Sequence, residues 1–185
     1  MFSDGGAGAW DVVARSNLSG LVGTVAYKRE KGAAGQYAVY NPEGSSEVGS
    51  FTADAMLTAT FGDTDSADNT QYVSGEIGNF ATMSGGEATE TGADWTVALG
   101  KSGSGAASST DFVGSTTWSV GDDKAAERGT YTARLFSDEG AGTLPSALTE
   151  SPDEIGGTFK AQFGSHQMLG AFAATLSTAD DPATE

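Results

Sequence analysis

A chain of 185 residues is long enough for one ordinary domain. Its 25 acidic and 9 basic residues give a formal net charge of −16, so it lacks the positive footprint that nucleic acid or an anionic membrane surface requires. With no cysteine, disulfides, thiolate chemistry and Cys-based zinc sites are excluded, and 27 glycines without a collagen period point to many turns.

In chain order, LVGTVAY (21–27) and GQYAVY (35–40) read as two strands joined by a charged loop holding Lys28, Arg29, Glu30 and Lys31. The clearest segment follows, GSFTADAMLTATFG (49–62). Phe51, Ala53, Ala55, Leu57, Ala59 and Phe61 fall on one face, and Thr52, Asp54, Thr58 and Thr60 on the other. Met56 is the one apolar side chain on the second face. A helix would scramble this period of two. Shorter versions recur: Val73, Gly75 and Ile77; Trp95, Val97 and Leu99; Phe112 and Trp118; Tyr131, Ala133 and Leu135; Phe159, Ala161 and Phe163. MLGAFAATL (168–176) is the last of about nine strands. Apart from a possible turn of helix at 125–128, no window spaces its apolar residues as a helix does. No apolar run reaches the roughly 20 residues of a membrane helix. The N-terminus lacks the charged and apolar regions of a secretory signal, so export would rely on a leader outside this sequence or on another route.

The expected fold is therefore all-β: a small, soluble antiparallel β-barrel of about eight strands over 49–176. Residues 1–48 would supply a few handle-like leading strands and 177–185 a flexible tail. Inward faces that mix aromatic rings with Ala and Gly fill a narrow barrel and leave no ligand cavity. Outward faces carrying Thr, Asp, Arg134, Lys160 and Gln162 belong in water, since a membrane barrel presents an apolar band there.

The ordered set GSFTADAMLTATFG, VSGEIGNF (73–80), DWTVAL (94–99), GTYTARLF (129–136), IGGTFKAQFG (155–164) and LGAFAATL (169–176) resembles the barrel domain of the transferrin-binding protein B family of Gram-negative surface lipoproteins. The resemblance covers roughly residues 35–176 and implies a barrel closed by the final hairpin and a surface or secreted location. Two departures stand out. There is no N-terminal cysteine for lipidation, and LFSDEGAGTLP replaces the family's "YGP"-like stretch before the closing strands. No functional residue carries over position by position.

Candidate sites are few. His166, the one histidine, lies in GSHQMLG between the last two strands, where it is a candidate haem ligand with Met168 or a tyrosine as second ligand, or simply a turn residue. Asp63, Asp65 and Asp68 make an oxygen-rich loop of the kind calcium prefers, although the glycine and distal glutamate of an EF-hand are missing. Haem and calcium apart, no cofactor is expected. Tyr27, Tyr37 and Tyr40 form either an aromatic patch or ordinary packing. No activated nucleophile or acid–base pair can be named, so the chain reads as a non-enzyme. The expected function is a secreted or cell-surface binding module that captures a protein or haem through its loops. The alternative is a structural domain of a larger bacterial surface assembly, appendage or adhesin. Its partner is then a protein or another copy of itself, with no nucleic acid and no transmembrane segment.

Overall fold

A computed structural model describes residues 11–40, 42–44, 46–62, 71–103, 109–124, 129–137 and 150–177. The chain opens with β1 (Asp11–Val12) and a 3-10 turn (Arg15–Leu18), then runs into two long strands, β2 (Thr24–Val39) and β3 (Glu47–Phe61). Next come β4 (Gln71–Ser84), β5 (Glu87–Thr89), β6 (Trp95–Leu99) and β7 (Phe112–Val120). The last four are β8 (Asp123–Lys124), β9 (Gly129–Ser137), β10 (Glu154–Phe163) and β11 (His166–Leu176). β2, β3, β4, β6, β7, β9, β10 and β11 pair antiparallel in that order, and β11 returns to β2 to close an eight-stranded ring. The short strands lie outside it: β1 on β9, β5 on β4 and β8 on β7.

The all-β barrel expected from alternation is present. Along β3 the inward set from Phe51 to Phe61 is buried, and Met56 stands on the outer wall 41% exposed. Two expectations change. The two leading strands are one continuous strand, β2, and it is a stave of the ring, so the boundary expected between residues 48 and 49 falls inside the next stave, β3. The charged Lys28–Lys31 stretch, expected as a loop, lies within β2 as a bulge, with the register shifting between Arg29 and Ala33. The helical turn considered at 125–128 and nearly all of the tail lie outside the described residues.

Asp54 explains how a strand tolerates that bulge. Its Oδ1 accepts the Lys31 backbone N–H at 2.8 Å and its Oδ2 accepts Asn79 Nδ2 at 2.8 Å. Lys31 (φ 51°) and Asn79 (φ 52°) both adopt the left-handed conformation, and each lies where a neighbour of β3 carries extra residues. One carboxylate thus pins the irregular points of two staves, and β11 shifts register at the same level, between Phe172 and Thr175. Bulges on β2 and β4, side by side across β3, bend the wall and help it close.

The interior is filled by rings laid over glycines. Gly35 pairs with Phe51, Gly49 with Tyr37, Gly114 with Tyr131, Gly157 with Phe172 and Gly170 with Phe159. A Cβ on each of these glycines would come within 2.4–2.7 Å of the paired ring, and at Gly35, Gly49 and Gly157 within 2.1–2.2 Å of a main-chain oxygen as well. These rings join Trp95, Trp118, Phe80 and Phe112 in one buried cluster with Ala53, Ala55, Ala59 and Ala133. Small residues on one stave make room for large ones on the next, which packs a narrow cylinder densely. A methyl group added at Gly170 would lie 2.7 Å from the Phe159 ring and 2.8 Å from Phe51. Gly170→Ala is expected to destabilise the chain by about 1–3 kcal/mol through overpacking, read as a lower urea midpoint at unchanged slope.

Candidate functional site

The barrel has two unlike ends. The lower end is stoppered by the segment before β2. Val13 and Leu18 are fully buried there, and the Val13 N–H donates to Leu135 O at 2.9 Å. Between them Arg15, only 6% exposed, turns its guanidinium inward. Nη1 donates to Gln71 O at 3.1 Å, and Nη2 to Gly103 O at 3.1 Å and Asp111 O at 3.3 Å. The guanidinium carbon sits 3.9 Å from the centre of the Phe112 ring. Asp111 offers it only a main-chain carbonyl, because its carboxylate pairs outward with Arg134 at 2.6 Å. That hydrogen bond holds the Asp111 carboxyl below its ordinary range. Burial lowers the pKa of Arg15, an effect opposed by the nearby Tyr131. Carbonyl dipoles and a π face therefore stand in for a counter-ion, an arrangement that desolvation makes costly to break.

Above this stopper the Tyr131 hydroxyl crosses the interior to lie 2.6 Å from Val73 O and 2.7 Å from Gly100 O. It ties β9 to the far wall. The Tyr27 hydroxyl donates to Pro152 O at 2.9 Å in the same way.

At the upper end the aromatic column continues to the surface. Tyr37 packs edge-on to Trp95 (centroids 5.1 Å), Trp95 to Trp118 (4.9 Å) and Trp118 to Phe163 (6.3 Å). Phe163 in turn stacks with His166 (6.3 Å, 13° between planes). The Tyr37 hydroxyl donates to Glu47 Oε1 and Thr91 Oγ1 donates to Glu47 Oε2 at 2.9 Å, so the turn that follows β5 is clamped over the barrel mouth. Burial first, and then the bond to Glu47, raises the Tyr37 phenol. The turns around this mouth expose Glu43, Glu87, Glu90, Asp94, Asp122 and Asp123, and no lysine or arginine with a described side chain lies among them. Tyr40 stands beside them 54% exposed.

The structure separates several residues that the sequence grouped. His166 Nδ1 accepts the Tyr40 N–H at 3.0 Å. In the neutral ring the proton then sits on Nε2, so neither nitrogen has a free lone pair for iron unless that bond is released. Met168 is 2% exposed inside the barrel, away from any haem on the surface. Tyr27 and Tyr37 point inward while Tyr40 points outward, so the three make no patch. Asp63, Asp65 and Asp68 lie outside the described residues. Among the described residues no three His, Cys, Asp or Glu side chains gather closely enough to hold a metal. Nor is any helix there long and apolar enough to cross a membrane. Sequence reasoning missed Arg15 and the acidic rim. Arg15 follows DVVA and precedes SNL, a stretch without alternation, and the rim acids belong to turns far apart in the chain.

The outer wall is furrowed by open grooves. One, of about 470 Å³, runs over β10, β11, β2 and β3 beside Gln36, Val48, Lys160, Gln162 and Leu169. A smaller one, of about 290 Å³, lies by Glu76, Asn79, Asp94 and Trp95.

No family model, no curated protein and no solved structure matches the chain.

Burial raises the Tyr131 phenol to about 12. Its unfolded counterpart ionises near 10, so the native state holds the proton longer. Stability from this group is complete below pH 10 and is lost as the pH climbs towards 12, by up to about 2–3 kcal/mol. Urea midpoints measured across that range should fall, and Tyr131→Phe should flatten the fall.

Proposed function

We propose that the chain is a non-catalytic binding module, secreted or displayed on a bacterial surface, which captures a protein partner with the turns at its upper end. The observation that carries this reading is the rim itself. Six exposed carboxylates from three separate connections, and the half-exposed Tyr40, stand at this mouth on a scaffold whose interior is packed with rings. Loops held by a rigid barrel are where recognition usually resides, because they vary without disturbing the core. An acidic rim around an aromatic anchor favours a partner with a basic patch, and it speeds encounter more than it tightens the complex. The ring closed by the β10–β11 hairpin supports the likeness to transferrin-binding protein B barrels, although that likeness supplies no partner.

The structural alternative, a domain within a larger surface assembly, draws on a different feature. Val48 and Leu169 project from the wall 67% and 64% exposed.

Immobilised chain exposed to host or environmental extracellular protein should retain one defined species. Glu87→Gln with Glu90→Gln and Tyr40→Ser should release it, while Glu150→Gln at the other end should not. Retention that survives the rim variants removes the rim from the function. With haemin, the wild type and His166→Ala should give the same Soret spectrum. A saturable shift that depends on His166 would make haem the ligand instead.

A further inference from the structure

β2 ends at Val39. Its ladder with β11 stops at Ala38 and Gln167, and its ladder with β3 stops at Val39 and Glu47. Tyr40 therefore lies past both ladders, and its N–H finds an acceptor in a side chain, His166 Nδ1 at 3.0 Å. That histidine opens β11, far away along the chain. Its ring is held in place by Phe163, its cross-strand partner, with 13° between the two planes. Phe163 rests in turn on the buried Trp118. A ring anchored to the core thus presents one nitrogen to one amide at the surface. What it fixes is the backbone of the exposed rim tyrosine and the entry to the turn that carries Glu43.

We infer that His166 is a pH-sensitive latch on the rim, closed on Tyr40 at neutral pH and open in mild acid. The bond needs a lone pair on Nδ1. Neutral imidazole offers one there, whereas imidazolium carries a proton on both nitrogens and can only donate. Two N–H groups then face each other, and attraction becomes repulsion. Histidine is the side chain that gains its charge between pH 8 and pH 5, and this chain has one. Among the described side chains, the charged groups on the elements around the ring are mostly acids. The turn after β2 carries Glu43 beside the Tyr40 phenol, and the head of β3 carries Glu47. β7, which meets Phe163 through Trp118, carries Asp122 and Asp123 in its hairpin with β8. Lys160 of β10 projects from the outer face, since it alternates with the inward Phe159 and Ala161. These carboxylates draw an imidazolium away from the Tyr40 amide. The freed amide is exposed and turns to water, so the latch opens without unfolding anything around it. The consequence for function rests on capture at the rim. There, opening loosens the aromatic anchor and sets a positive charge beside a surface suited to a basic partner, and both changes weaken capture in acid.

Amide hydrogen exchange, followed by NMR on the full chain with no partner present, tests the latch. Protection of the Tyr40 amide, taken relative to its intrinsic exchange rate at each pH, should fall roughly 2- to 10-fold between about pH 7.5 and about pH 5, the span of one exposed hydrogen bond. The midpoint of that fall should coincide with the titration of the His166 ring protons in the same samples. His166→Asn places an amide oxygen where Nδ1 stood and cannot titrate, so protection should persist at both pH values. His166→Ala should lack it at both. Amides of β3 should keep their protection throughout, which separates the latch from general loosening. Tyr40 protection that is unchanged in acid, that remains pH-dependent in His166→Asn, or that survives His166→Ala would overturn the inference. A midpoint away from the His166 titration would do the same. Because no partner takes part, the exchange result judges the latch alone, and the retention test above judges the rim.

Discussion

The fold depends on aromatic rings seated on glycines of the neighbouring stave. An eight-stranded ring encloses little more than the volume of its own inward side chains, so several of the large residues face a glycine or alanine on the next stave. Gly35 beneath Phe51 and Gly170 beneath both Phe51 and Phe159 meet that need on two adjacent staves, β2 and β11. The arrangement buries aromatic area at high density. It also explains a composition that looks poor for a core, with many glycines and alanines and few leucines, because five inward glycines each face an aromatic ring on a neighbouring stave.

Polar groups inside this cylinder act as ties between distant parts. Tyr131 reaches from β9 to the carbonyls of Val73 and Gly100, and Tyr27 reaches Pro152. Arg15 fastens the leading segment across the lower mouth through three carbonyls and the face of Phe112. Each links segments that the hydrogen-bonded ladder leaves unconnected. The lower end is thereby a stopper and the upper end a rim, and the asymmetry directs attention to the upper turns as the recognition surface. Among the described residues the exposed acids gather at the ends, and the upper outer wall of β11, β2 and β3 carries none.

Alternation along β3, β9 and β10 was legible because facing in or out is a property of residues i and i+2, and each strand states it alone. From that pattern the all-β class, the inward aromatic set and the outward Met56 could all be read in the amino-acid string. The 28–31 stretch could not, because four charged residues look the same in a loop and in a bulge. What makes the difference is Asp54 on the next strand, bonded to Lys31 and Asn79 at once. Ring closure decided the rest. Register between residues more than a hundred positions apart brought Leu169 beside Gln36, the Tyr40 amide against His166, and the acids of three turns around one mouth. Those neighbours are fixed by pairing across the ring, which no local stretch of sequence contains, so the recognition surfaces became visible only in three dimensions.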